Sequence, residues 1–147
     1  MNVIKVKKLD PRAILPTVGS AYAAGSDLYA LFDGDGEVSI PPHHSVKIRT
    51  GLAIELPAGT FGAIFARSGL ASREGLRPAN CVGVVDSDYR GEVIVALHND
   101  AECVRTVKSG DRIAQLVVMP YLPVAFEEAP ELSDTERGDG GFGSTGK

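Results

Sequence analysis

The stretch NCVGVVDSDYRGEVIVALH, residues 80–98, contains two apolar runs separated by a polar turn. The first run ends at Val85, and the second, from Glu92 to His98, predicts a return strand. This pattern is typical of a β-hairpin whose turn, residues 86–91, is closed by Gly91. The stretch therefore favours a β-rich fold.

The tip of this predicted hairpin carries two carboxylates, Asp86 and Asp88, and the aromatic ring of Tyr89. An aspartate in such a place can bind a metal, act as a base or cap the turn. Capping is the simplest of these functions, because aspartate side chains form hydrogen bonds with nearby backbone. The residues of the turn alone leave the choice open.

The rest of the chain repeats the pattern of short apolar runs separated by turn residues. Turns recur about every eight to twelve residues, which favours an all-β sandwich, jelly roll or barrel. A short helix is predicted at Leu70–Glu74. Outside the hairpin, strands are predicted at residues 3–9, 28–32, 38–40, 46–48, 52–56, 61–65, 103–107, 112–120 and 124–127.

Length and composition predict one globular domain, with 147 residues, 44% hydrophobic and 23% charged. No apolar run is long enough to cross a bilayer and no secretory leader is visible, so we expect a cytoplasmic protein without membrane contact. Cys81 and Cys103 fit no metal spacing. They are predicted to be reduced core residues, although a disulfide between them stays open.

The formal net charge is −4. The chain therefore lacks the basic surplus of a general nucleic-acid binder, and no direct nucleic-acid binding is expected. A negatively charged protein that binds an anion must concentrate its cations locally, so the positions of individual arginines are informative.

Residues 137–146 read RGDGGFGSTG, and half of them are glycine. Glycine loses much backbone entropy on ordering, so this segment is predicted to be a mobile tail. It could be a plain disordered terminus. It also contains a cation, an aromatic ring, two hydroxyls and many backbone N–H groups, which are the parts of a clamp for phosphate and base.

Four segments place polar residues within apolar surroundings: AAGSDLYA (23–30), ARSGLA (66–71), GVVDSDYRGE (83–92) and GDRIAQLV (110–117). With RGDGGFGSTG they make five motifs, in an order and spacing that resemble the trimeric dUTPase family, the deoxyuridine triphosphate nucleotidohydrolases. The resemblance implies a homotrimer of jelly-roll, β-clip subunits with sites at subunit interfaces. It also implies a β domain at residues 1–136 and an arm at 137–147 that closes over a site of the trimer.

The reaction implied by the resemblance is hydrolysis of dUTP to dUMP and pyrophosphate. This reaction limits uracil incorporation into DNA and supplies dUMP for thymidylate synthesis. Asp86 matches the carboxylate that orients a water and accepts its proton as the α-phosphate is attacked. Mg²⁺ is implied as cofactor, held mainly by the triphosphate. Asp27 would assist through water, or serve as a structural turn or interface residue.

The resemblance also assigns substrate contacts. Arg67, Ser68, Gly69 and Gln115 match the phosphate-binding residues. Asp111 and Arg112 are interpreted as a structural pair instead. The residues implied at the uracil slot are Asn80, Val84, Val85 and Ile94, with Tyr89 packed beneath the deoxyribose; those implied on the arm are Arg137, Phe142, Gly143, Ser144 and Thr145.

The arm residues have distinct implied contacts. Arg137 would reach the γ-phosphate, and Phe142 would stack on the uracil. Gly143 to Thr145 would offer backbone N–H groups and hydroxyls to the γ-phosphate. Three other readings stay open: a dCTP deaminase on the same fold, a nucleotide-binding regulator without turnover, and a structural or carbohydrate-binding jelly roll.

Overall fold

The computed structural model describes residues 3–141, which form twelve β-strands and one short π-helix at Leu70–Glu74. Both the all-β class and the position of the short helix are confirmed. Within these residues no helix has the length and apolar character needed to span a membrane. The strands are β1 Lys5–Lys8, β2 Thr17–Val18, β3 Ser26–Tyr29, β4 Glu37–Ile40, β5 Ser45–Arg49, β6 Leu52–Glu55, β7 Thr60–Phe65, β8 Leu76–Pro78, β9 Gly83–Val85, β10 Ile94–Asn99, β11 Arg105–Lys108 and β12 Arg112–Pro120.

The strands pair antiparallel in four sheets. The largest has the order β2-β3-β12-β7-β9, and a second has the order β5-β10-β8. Two smaller sheets pair β1 with β6 and β11 with β4. Neighbours in a sheet are often distant in sequence, as in a jelly roll, so each sheet draws strands from several parts of the chain.

One core cluster lies between these sheets. The period-two alternation in β5 and β10 buries every second side chain, so Ile48, Val95 and Leu97 point inward while their neighbours face outward. Leu28 of β3 and Ile113 of β12 join the same cluster. Burial of one face by alternating apolar residues is what the sequence pattern predicted.

Asn99 is the largest polar residue in this core, and its hydrogen bonds are satisfied. Its Nδ2 donates to the carbonyls of Ile40 (2.9 Å) and Cys103 (2.8 Å), and its Oδ1 accepts from the amide of Ala101 (2.9 Å). A buried amide with all of these bonds fixes the turn after β10, because breaking any one of them would leave a buried polar group unpaired.

The predicted hairpin over residues 80–98 is wrong as a pairing, although both strands form. β9 pairs with β7, whereas β10 pairs with β5 and β8 in another sheet. Residues 86–93 are therefore a connection between two sheets. Apolar alternation shows that a run is buried, but it does not specify which strand becomes its neighbour.

Three smaller predictions also differ from the structure. Residues 124–127 form no strand and lie exposed, because no strand of residues 3–141 lies beside them to pair with. Cys81 and Cys103 are free cysteines at the surface rather than core residues. The strand predicted at 28–32 is β3, shifted toward the N-terminus, and neither β2 nor β8 was predicted.

Candidate active site

A small cavity of about 250 Å³ lies beside β9 and β10. β9 ends its sheet, since within residues 3–141 it pairs with β7 alone. Backbone N–H and C=O groups on its other edge are not used by a ladder and are available to a ligand. The lining residues are Ile64, Asn80, Gly83, Val84, Val85, Asp86, Tyr89, Glu92, Val93 and Ile94.

This cavity brings together the whole base-and-sugar set named from the sequence. It also contains Asp86, so the implied catalytic carboxylate and the implied uracil slot share one opening.

Asn80 follows β8, whose strand end is fixed by Arg77. The Arg77 guanidinium donates to Asp100 at 2.5 and 3.1 Å, and this hydrogen bonding lowers the pKa of Asp100.

The carboxylate of Asp86 is exposed and has no hydrogen-bond or ion-pair partner among the residues that the structure describes. The turn is instead closed by its backbone, because the carbonyl of Asp86 accepts from the amide of Tyr89 at 3.1 Å. The side chain is thus not used as a cap and stands ready to contact a ligand or a water. Asp88 is exposed as well but does not line the cavity.

The ring of Tyr89 is held against the backbone of the same loop. Its hydroxyl donates to the carbonyl of Glu92 at 3.0 Å. A Cβ at Gly91 would lie 2.9 Å from Cε2 of Tyr89, so a side chain at this position would push the ring away. Gly91 was predicted only to close a turn; the structure shows that it also makes room for the aromatic ring.

A second and larger cavity, of about 850 Å³, lies where β3, β7 and β12 meet the short helix. It brings together the phosphate-contact residues named from the sequence, Arg67, Ser68, Gly69 and Gln115, along with Asp27. Two further arginines line it that the resemblance did not assign to phosphate, Arg73 and Arg112. This concentration of cations suits an anionic ligand.

Asp27 is the acidic centre of this cavity. Its Oδ1 accepts from Nε of Arg67 at 2.8 Å, and its Oδ2 accepts from Nη1 of Arg112 at 3.2 Å. The predicted Asp111–Arg112 pair is therefore wrong. Asp111 instead accepts from the amide of Lys108 at 2.8 Å and closes the turn before β12.

The position of β12 between β3 and β7 brings Asp27, Gln115 and the segment at Arg67 together. In its ladder Gln115 lies opposite Asp27 of β3 on one side and Phe65 of β7 on the other, next to a register shift between Arg112 and Ala114. The Gln115 Nε2 donates to the carbonyl of Ala66 at 2.9 Å, which fixes the chain just before Arg67. Gly25 packs directly against the amide oxygen of Gln115, so a side chain at position 25 would displace this amide from its place beside Ala66.

The arginine-serine-glycine segment runs into the short helix, which is tied down at both ends. The amide of Ala71 donates to the carbonyl of Arg67 at 2.9 Å. At the other end Arg105 bonds both the carbonyl and the carboxylate of Glu74, each at 2.8 Å. The guanidinium of Arg73 lies over Gly69, where any Cβ would approach within 2.8 Å of Nη2.

The two cavities share no lining residue. Val85 lies opposite Gly62 near the start of β7, which puts Asp86 level with Phe61, whereas Arg67 follows the far end of that strand. The six residue steps from Phe61 to Arg67 correspond to roughly 20 Å of extended chain. One chain therefore presents the carboxylate and the phosphate-type pocket at two separate places.

Part of the predicted arm is described. Arg137 is exposed, lines neither cavity, and donates from Nε to the carbonyl of Gly140 at 2.8 Å. The other arm residues named from the sequence lie outside the described residues: Phe142, Gly143, Ser144 and Thr145.

Comparison with known proteins adds independent evidence. The deoxyuridine 5'-triphosphate nucleotidohydrolase of Desulfitobacterium hafniense is 53% identical to this chain, with 99% of each sequence covered. The protein of the same name from Corynebacterium glutamicum is 49% identical and covers 100% of this chain and 97% of its own length.

A solved structure of a Staphylococcus bacteriophage 80alpha dUTPase mutant with dUpNHpp matches the fold with a TM-score of 0.90. Its sequence is 26% identical, and the match covers 100% of both chains. A family model described as dUTPase matches residues 11–146, which include every residue placed in the two cavities. The chain belongs to the dUTPase family.

Proposed function

We propose that this protein hydrolyses dUTP to dUMP and pyrophosphate by attack of water on the α-phosphate. The observation that carries the proposal is the carboxylate of Asp86, which lines the cavity beside the edge strand β9 and has no partner among residues 3–141. Family membership and about 50% identity to proteins named for this substrate support the same reaction.

In this proposal the nucleobase enters the 250 Å³ cavity and pairs with backbone groups of β9. The side-chain amide of Asn80 adds a donor and an acceptor that can read the base edge. The narrow slot has little room for the methyl group of thymine. The ring of Tyr89 packs under the sugar, where a 2′-hydroxyl would collide with it.

Asp86 then orients the attacking water and takes its proton. The water forms the new P–O bond at the α-phosphorus, and the bond to the bridging oxygen of pyrophosphate breaks. In phosphoryl transfer most of the catalysis comes from positioning and charge neutralisation. Arg67, Ser68, Gly69 and Gln115 supply donors for the phosphates, with Arg67 already oriented by Asp27.

We propose that Mg²⁺ accompanies the triphosphate, because this ion favours phosphate oxygens and retains several waters. Both carboxylate oxygens of Asp27 already accept from arginines, which suits contact through water better than direct ligation. When bound, the ion neutralises phosphate charge. Asp27 keeps the phosphate-facing guanidinium of Arg67 in place whether or not the ion is present.

The separation of the two cavities supports a homotrimer whose sites combine residues of different subunits. A second support is the segment that follows β12, where apolar side chains lie in solvent: Phe126 is 97% exposed and Leu132 is 89% exposed. Exposed apolar groups in such number suit contact with another protein surface. Both cysteines are free, in keeping with a cytoplasmic location.

Pyrophosphate release from a panel of dUTP, dTTP, dCTP and UTP with Mg²⁺ tests the proposed function. We expect rapid release from dUTP and far slower release from the other three nucleotides. Ammonia release from dCTP would instead indicate a deaminase on this fold. Binding of dUTP without pyrophosphate would indicate a regulator that lacks turnover.

Replacement of Tyr89 by alanine is expected to lower the preference for dUTP over UTP by about 10- to 100-fold, the range for loss of one shape-selective contact. The ratio of kcat/KM for the two nucleotides measures this change. Tyr89→Phe keeps the ring and should keep most of the preference. If the alanine variant discriminates as well as the unmodified protein, the ring does not select the sugar.

A further inference from the structure

Glu92 has a carboxylate that the proposed reaction does not use. Its side chain is 17% exposed and lies at the end of the loop that carries Tyr89. Oε1 accepts from the amide of Gly51 at 2.8 Å, and Nε of Arg49 donates to both oxygens at 3.1 Å. The carboxylate thus ties the loop to the turn between β5 and β6.

That turn is itself rigid. Gly51 has a φ of +71°, and a Cβ there would lie 2.5 Å from Leu31 and 2.8 Å from Ala13. The carbonyl of Gly51 accepts from the amide of Leu9 at 2.8 Å. Because Gly51 is packed against Leu31 and Ala13 and bonded to Leu9, it is a firm anchor for the Glu92 carboxylate.

No strand ladder holds residues 86–92, because β9 and β10 belong to different sheets. The next residue, Val93, bonds the same turn through its backbone: its amide donates to the carbonyl of Leu52 at 2.8 Å, and its carbonyl accepts from Oγ1 of Thr50 at 2.6 Å. Glu92 connects the turn with the ring of Tyr89. Its carboxylate accepts a hydrogen bond from the β5–β6 turn, and its carbonyl accepts one from the hydroxyl of Tyr89. The position of the aromatic ring therefore depends on where residue 92 is held.

We propose that Glu92 is a positioning residue for sugar selection: its carboxylate, next to the backbone bonds of Val93, ties the end of the 86–92 segment to the β5–β6 turn and so holds the Tyr89 ring at the cavity. This inference rests on the proposed function, because it deepens the account of how dUTP is preferred over UTP. Glu92 acts through Tyr89, and it has no role in the transfer of the proton or of the phosphoryl group.

The test compares Glu92→Ala with Glu92→Gln in the full-length protein. Alanine removes the bonds to Gly51 and to Arg49, and the ratio of kcat/KM for dUTP over UTP is expected to fall by about tenfold. Glutamine keeps an oxygen for the amide of Gly51 but loses the charge that pairs with Arg49. The nucleotide ratio of Glu92→Gln should therefore lie between the ratios of Glu92→Ala and of the unmodified protein.

Glu55→Ala is the matched control. Glu55 is also a carboxylate at a strand end with a cationic partner, Lys5 at 3.2 Å, but it lines neither the base cavity nor the phosphate cavity. The control should leave the nucleotide ratio within twofold of its original value. If loss of an ion pair acted only through general stability, the nucleotide ratio would change in both alanine variants. A positioning role changes the ratio in Glu92→Ala alone.

Hydrogen exchange of the peptide that covers residues 86–93 supplies a second readout that needs no substrate. Faster exchange there in Glu92→Ala, with no change in Glu55→Ala, is the expected result. An unchanged nucleotide ratio together with unchanged exchange would overturn the proposal. If the unmodified protein hydrolyses neither nucleotide, the proposed function fails, while the exchange experiment still decides whether Glu92 anchors the loop.

Discussion

Asp86→Asn is expected to lower kcat for dUTP by about 10³-fold, within the range that a positioned general base contributes. Asparagine has nearly the same size but cannot accept a proton from water. The carboxylate has no partner among residues 3–141, so its replacement removes no internal bond of the described chain. Pre-steady-state and steady-state pyrophosphate release would measure the loss.

Substrate binding should survive this replacement. Removal of a negative charge next to the phosphates does not weaken their binding, so the dissociation constant of a nonhydrolysable dUTP analogue should stay within about threefold or improve slightly. A fall in kcat without a rise in the dissociation constant marks an interaction used in the transition state. Turnover within tenfold of the original value would remove Asp86 from the catalytic role.

Asp88→Asn is the natural control for that experiment. Asp88 lies two residues away in the same exposed loop but does not line the cavity. Its replacement changes the net charge of the loop by the same amount. A difference between the two variants therefore reports on the position of the carboxylate, because long-range electrostatics are nearly equal in both.

Local sequence patterns were sufficient to predict most strands and turns of this fold. The strand over residues 112–120 has the bounds that its apolar run predicted, and the turn before it forms at Lys108–Asp111 with Gly110 at a φ of +86°. Both features depend on residues close together in the chain. Alternation and glycine chemistry report on such local structure directly.

Strand pairing could not be predicted in the same way. The run before Asp86 and the run after Gly91 looked like the two arms of one hairpin, yet each pairs elsewhere. Nothing in the turn distinguishes these outcomes, because both bury the same apolar faces. The partner is chosen by long-range packing, and the single sequence contains no local signal for that choice.

In the candidate site, too, the local motifs could be predicted from the sequence and the long-range contacts could not. The motifs named Arg67 and Gln115 as residues of one phosphate site, and the structure brings them into one cavity. The bond from Arg112 to Asp27 joins positions 85 residues apart, and neighbouring Asp111 looked like the better partner. Gly91 did carry a signal, since a glycine two residues from an aromatic ring in a tight loop allows a close approach that a side chain would block.

Truncation before Arg137 is expected to lower kcat/KM for dUTP by about 10²-fold. Each charge-assisted hydrogen bond to phosphate contributes roughly 1.5–3 kcal/mol, and the removed segment contains a guanidinium, two hydroxyls and glycine amides. Arg137 bonds only a carbonyl of its own segment within the described residues, so it is available for a ligand. The full-length variant Arg137→Ala should show part of the same loss.

The truncated protein should keep its fold and its assembly. Within residues 3–141 the last strand ends at Pro120, and a chain that stops at residue 136 still contains the exposed apolar segment that follows β12. Light scattering should give the same molar mass as for the full-length protein, and the midpoint of thermal unfolding should move by no more than a few degrees. A change in assembly would mean that the activity loss has another cause.

Comparison of dUTP with dUDP separates the arm's role from a general contribution to binding. We propose that residues 137–147 close over the site only when the γ-phosphate supplies enough contacts, because ordering a glycine-rich segment costs conformational entropy. The full-length protein should therefore discriminate strongly between the two nucleotides, and truncation should remove most of that preference. Equal preference before and after truncation, or full activity of the shortened chain, would show that residues 137–147 are an ordinary tail and that triphosphate recognition lies wholly in the cavity around Arg67.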